Sequence, residues 1–181
     1  VGGDGDHGTT MLRAMACLEK ALDHVSEQNI KTLLHEVGWA ILGVDGGATG
    51  PLLGTLFMKM AEAVLDAETL EAPLVVEMFA AGLEGVLKQT KARPGDKTMI
   101  DALDPAVHAL RTAADEGQDI LEMLRRAADA AHDGAVSTEA MQARFGRARN
   151  IKEQSIGSRD PGATSVSLIF RGFWKGMQTN A

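Results

Sequence analysis

Apolar residues recur along this chain at the three-to-four spacing of helices that bury one face. Met11, Met15, Leu18 and Leu22 open the series with polar residues between them, and predict a first helix from about Thr9 to Val25. The same reading places a second at Ile30 to Leu42. A third is predicted from Pro51, a residue favoured at the first helical position, through Leu52, Leu56, Met60 and Val64. Further helices are predicted at Leu70 to Lys88, Thr98 to Ala114, Gln118 to His132, Ser137 to Phe145 and Ala163 to Met177. Ala, Leu, Met, Glu and Lys are abundant, Tyr is absent and β-branched runs are scarce, so composition agrees with the period. The fold class is all-α, with about eight amphipathic helices; in an up-and-down bundle alternate loops lie at the same end, so several of the connecting loops could converge on one rim. At 181 residues the chain reads as one domain, residues 1–181, without internal repeat, low-complexity tract or linker.

Charge and cysteine content narrow the function classes. A net charge of -7 without a Lys/Arg cluster argues against a nucleic-acid partner. Cys17 is the single cysteine, which excludes an internal disulfide and a cysteine zinc site and fits a reducing, cytoplasmic setting. No long apolar span or signal peptide calls for a membrane. The methionines read as core filling. Beginning at Val1 and opening directly on a motif, the chain reads as truncated upstream.

The chemistry gathers where the helical pattern is interrupted. Asp4-Gly5-Asp6-His7-Gly8-Thr9-Thr10 sets two carboxylates one residue apart in a glycine-flanked turn that runs into a helix. Carboxylate oxygens suit Mg²⁺, and the N–H groups of a helix start add positive potential where a phosphate would sit. The same triplet also reads as an acidic turn or an N-cap. It is not a calcium loop, since Gly8 and Met15 fall where oxygen ligands are required. A second loop, Asp45-Gly46-Gly47-Ala48-Thr49-Gly50-Pro51, offers backbone N–H groups and a hydroxyl before a helix, or simply a close-packed connection; lacking a Lys, it is not a Walker A loop. In the third, Pro94 to Met99, Asp96 and Thr98 are candidate caps. In the fourth, Gly157 to Thr164, Asp160 before Pro161 is another.

In order and spacing these segments resemble the nucleotide-binding L subunit or L domain of dihydroxyacetone kinases. The likeness covers nearly the whole chain: GDGDHGTTM at Gly3 to Met11, GGATGPLLG at Gly46 to Gly54, PGDKTMIDAL at Pro94 to Leu103, GRA at Gly146 to Ala148 and DPGATS at Asp160 to Ser165. The resemblance implies a barrel of antiparallel helices holding ADP or ATP at one rim through two Mg²⁺ ions. It implies that Asp4 and Asp6 are metal ligands, with His7 beside them and a third aspartate upstream of this sequence. Gly47, Ala48, Thr49 and Gly50 would wrap the phosphates, Thr98 and Met99 would lie near the base, Arg147 would face the nucleotide, and Asp160, Pro161 and Gly162 would complete the site. Asn150, Lys152, Gln154 and Arg159 depart from the family pattern, which points to a rim retuned for another partner or sugar.

The resemblance further implies half of an enzyme. A separate K subunit would hold dihydroxyacetone or a related short ketose covalently, and the donor would be ATP or a phosphotransferase-system phosphocarrier protein, with a homodimer also open. His24, His35, His108 and His132 lie in predicted helices and read as packing or surface residues. Two rivals stand beside this reading: a fatty acid kinase nucleotide domain, disfavoured by His7 and the GATGP loop, and a non-catalytic docking module of the same fold.

Overall fold

The structure, a computed structural model, describes residues 6–23, 29–44 and 47–179. Among them are seven α-helices, two 3₁₀ stretches and no strand: α1 (His7–Leu22), α2 (Ile30–Leu42), α3 (Thr49–Val64), α4 (Ala72–Gln89), α5 (Ile100–Asp115), α6 (Ile120–Ser137) and α7 (Pro161–Thr179). The all-α expectation holds. None of the described helices is long and apolar enough to cross a membrane. The described residues fall into two compact units, Asp6–Lys91 and the described part of Ala92–Ala181.

The first unit is a run of helical hairpins. The Asn29 side chain accepts from Thr32 N–H at 3.0 Å and starts α2. α2 and α3 run antiparallel with glycines at their contacts: a Cβ on Gly38 would stand 2.8 Å from Met58 Cγ, and one on Gly54 2.3 Å from Leu42 Cγ. Ile41, Leu53, Leu56, Met60, Val64, Phe79 and Val86 form its buried core. α1 joins less deeply than its period implies. Only Thr10 and Ala14 are fully buried there, while Met15 and Leu22 of the predicted stripe are exposed.

In the second unit α5, α6 and α7 pack around Ile100, Leu103, Leu110, Met123 and Phe170, all buried. Asp119 accepts from Glu122 N–H at 2.8 Å and caps α6. α6 is antiparallel to α5, since Gly134 near its end meets Asp101 and Ala102 at the start of α5. The starts of α5 and α7, by contrast, lie together: a Cβ on Gly162 would stand 3.3 Å from Met99 Cβ.

Two expectations are corrected. The third helix begins at Thr49 rather than Pro51, so Pro51 is its third residue; its missing N–H belongs to the first turn, where no intrahelical acceptor exists. The helix expected from Ser137 to Phe145 is absent. α6 ends at Ser137 and a 3₁₀ turn, Thr138–Ala140, follows. Thr138 Oγ1 donates back to Ala135 O at 2.6 Å and Ser137 Oγ to Gly134 O at 2.7 Å, which closes the last turn of α6. The next backbone donors find tertiary acceptors instead of helical ones. Ala143 N–H goes to Ser155 Oγ at 2.9 Å and Arg144 N–H to Asp96 O at 3.2 Å.

Candidate functional site

In the first unit, Asp6 is the residue before α1 and its main-chain carbonyl accepts from Thr10 N–H at 2.9 Å, but its side chain makes no capping bond to the helix. The exposed carboxylate therefore does not serve the N-cap role that the sequence left open. His7 opens α1, and burial pushes its imidazole below the usual range. Asp4 lies outside the described residues, as do Asp45, Gly46 and His24.

The described part of the loop before α3 is Gly47 and Ala48. Gly47 has φ +57, a left-handed conformation that costs a side chain, and a Cβ there would meet nothing within 4 Å. Ala48 precedes the helix and has no side-chain cap to give. A Cβ on Gly50 would stand 3.3 Å from Val44 O and 3.4 Å from Ile41 O, so a glycine here lets the first turn of α3 sit against the end of α2. Thr49 is the first residue of that helix. A groove of about 310 Å³ in the same unit, lined by Lys31, Thr32, His35, Met58, Ala61 and Glu62, contains none of the predicted site residues.

The second unit brings Thr98, Met99, Asp160, Pro161 and Gly162 into one polar knot. Thr98 Oγ1 accepts from Ile100 N–H at 3.2 Å, and Thr98 N–H donates to Asp101 Oδ2 at 2.7 Å. Asp101 also accepts from Gly95 N–H. Asp160 Oδ2 accepts from Ala163 N–H at 2.7 Å and caps α7, as the bland reading of that residue anticipated. Its own N–H donates to Thr138 Oγ1 at 2.8 Å. Burial, with Asp101 nearby, raises the Asp160 carboxyl to about 6 against the pull of the Ala163 N–H and of Lys97. Asp96 does not cap α5. It accepts from Arg93 N–H at 2.8 Å and from the Arg144 guanidinium at 3.1 Å, and so closes the Arg93–Asp96 turn.

Arg147 is exposed and opens the second 3₁₀ stretch, Arg147–Ser155, directly after Gly146 at φ +64. Arg159, one of the departures from the family pattern, pairs with Glu139 at 2.7 Å. His35 meets Trp39 edge to face at 6.2 Å, while His108 and His132 are exposed on their helices.

Lys97, Asp101 and Thr138 escaped the sequence reading. For Asp101 a signal existed: Thr98 and Asp101 have the spacing of a capping box, in which the later acidic side chain bonds the earlier N–H. Lys97 carried none, since a lysine beside a turn reads as solvated.

Residues 1–175 match the family model described as the DAK2 domain. The chain belongs to the DAK2 domain family.

This DAK2 domain is 39% identical over 169 residues to the ADP-binding subunit DhaL of the PEP-dependent dihydroxyacetone kinase of Escherichia coli, covering 93% of this chain and 80% of that subunit. It is 33% identical to the ADP-binding subunit DhaL of the PTS-dependent dihydroxyacetone kinase of Lactococcus lactis, over 93% of this chain and 79% of that one. Among solved structures, the dihydroxyacetone kinase of C. freundii superposes with a TM-score of 0.72 at 28% identity, over 96% of this chain. The DAK2 domain spans only 29% of that larger protein. The same kinase in complex with AMP-PNP and Mg²⁺ superposes with a TM-score of 0.71 at 28% identity, over 96% of this chain and 28% of that one.

Proposed function

We propose that this chain is the ADP-binding subunit of a dihydroxyacetone-type kinase, acting as one nucleotide-binding domain over residues 1–181. The observation that carries the reading is the extent of the likeness to the E. coli DhaL subunit, which runs through 93% of this chain and 80% of that subunit.

On the phosphate side, Asp6 has a carboxylate that does not cap its own helix, and the glycine-rich loop before α3 adds main-chain N–H groups. Such hard oxygen donors fit Mg²⁺, and Asp6 with Asp4 would hold it, two ions being the full complement. Phosphate and water oxygens would share the coordination with these carboxylates. Bound there, Mg²⁺ would supply neutralisation of phosphate oxygen charge. His7 would lie beside the metal ligands. Gly47, Ala48, Thr49 and Gly50 would cradle the phosphates, and Arg147 would offset charge on the transferred group.

Thr98 and Met99, held together with Asp160, Pro161 and Gly162, would form a pre-ordered wall on the base side. The acceptor sugar, dihydroxyacetone or a related short ketose, would be held by a partner K subunit. A phosphocarrier protein would recharge the ADP in place, in keeping with the PEP- and PTS-dependent relatives.

Isothermal titration of ADP into nucleotide-stripped protein, with Mg²⁺ and with EDTA, tests the reading alongside Asp4→Ala and Asp6→Ala. Binding that needs Mg²⁺ and both aspartates is the expected result. A folded protein that binds no Mg-ADP would sink the proposal.

A further inference from the structure

Resting on that nucleotide reading, we propose that Lys97 is a positioning residue of the base-side wall: its ammonium, donating to the Thr138 and Ser158 carbonyls, holds Thr98–Met99 against Asp160–Gly162.

Lys97 is 3% exposed, unusual for a residue whose charge belongs in water. Its backbone has φ +60, a left-handed conformation that a side chain makes unfavourable unless its surroundings impose it. What imposes it is visible at the far end of the side chain. Nζ donates to Thr138 O, at the end of α6, and to Ser158 O, in the loop that leads into α7. Asp160, Glu139 and Asp101 lie close enough to favour the ammonium, although burial is the larger influence and lowers its pKa.

The two acceptors make this more than a local anchor. Thr138 is fully buried, and while its carbonyl takes Lys97, its Oγ1 takes the Asp160 N–H. One side chain therefore ties the segment ahead of α5 both to the residue that positions Asp160 and to the loop that delivers it. Directly beyond the lysine, Thr98 and Met99 are held on one side by Asp101 and on the other by Gly162. A wall assembled from two distant stretches of chain keeps its shape only if something spans them. Lys97 has the length and the several donors to do so. A methionine would fill similar space and leave both carbonyls without the ammonium.

The test is titration of Mg-ADP into the full chain and into Lys97→Met and Lys97→Arg, each checked by circular dichroism and a melting curve. The expected result is a natively helical Lys97→Met protein that binds ADP about ten- to a hundredfold more weakly. Lys97→Arg, which keeps a charged donor with more than one N–H, restores most of the affinity. ADP binding by Lys97→Met equal to that of the unaltered chain overturns the inference and leaves the nucleotide reading standing. So does an arginine variant as weak as the methionine one, because bridging donors would then not be what matters. No ADP binding by the unaltered chain overturns the nucleotide reading and this inference with it. Should Lys97→Met not fold, Lys97→Gln keeps one amide donor group. A partial loss is expected of it, and unaltered affinity overturns the brace.

Discussion

Gly134 of α6 lies so close to the main-chain oxygen of Asp101 in α5 that a Cβ built on the glycine would stand 2.1 Å from it. That carbonyl is special within its helix. Its regular partner would be the N–H of residue 105, and residue 105 is a proline. The glycine fills the place with its Cα, a close approach that only a residue without a side chain allows. Gly134→Ala should therefore push α6 away from α5 and cost about 3 kcal/mol, although alanine is the better helix former. Urea unfolding would read this, and an unchanged midpoint would mean that the two helices slide apart freely.

Asp160 should make stability depend on pH in an unusual direction. Its carboxyl titrates at about 6 in the folded chain against 3.8 as an ordinary aspartate, so between those values the folded state holds a proton that the unfolded state has released. The stability linked to that proton is present in full below about pH 4 and lost as pH rises through 6. Asp160→Asn keeps an oxygen for the Ala163 N–H and removes the titration. The variant should gain on the native protein by up to about 3 kcal/mol between pH 4 and pH 7. Parallel melting curves across that range would show a constant gap if the carboxyl were not held high.

The Arg93–Asp96 turn separates a side chain that organises backbone from one that decorates it. Asp96 is buried and accepts from Arg93 N–H, whereas its Arg144 partner is 71% exposed. Asp96→Ala is expected to cost about 1–3 kcal/mol and Arg144→Ala less than about 1 kcal/mol. Equal losses in chemical denaturation would contradict that ranking.

Glu122 on α6 bonds both Arg125 and Arg126, and these hydrogen bonds lower its carboxyl to about 2. The stabilisation is complete above about pH 4.5 and is lost as pH falls toward 2. Glu122→Gln should narrow the difference in melting temperature between pH 5 and pH 2. An acid profile that superposes on the native one would show the network to be energetically idle.

Much of the candidate site was legible because its parts are local. Asp160 reads as a cap from its place before Pro161, and it is one. Thr98 reads as a cap, and its hydroxyl does accept from Ile100 N–H. Asp6 went the other way: an aspartate before a helix is most simply a cap, yet its carboxylate caps nothing in α1. The same locality misled at Ser137 to Phe145. Apolar spacing there is helical, but Ser155 Oγ and Asp96 O, distant in sequence, take the backbone donors that a helix would have used.

Helical content and the order of most elements follow from residue periodicity, capping residues and glycine placement, which act over a few neighbours and so are written in the order of the letters. The burial of Lys97, the raised carboxyl of Asp160 and the seating of Gly134 on Asp101 belong to the folded chain alone. Each depends on a partner tens of residues away or on exclusion of water by packed helices, and neither distance in space nor dielectric environment has a local signature in sequence.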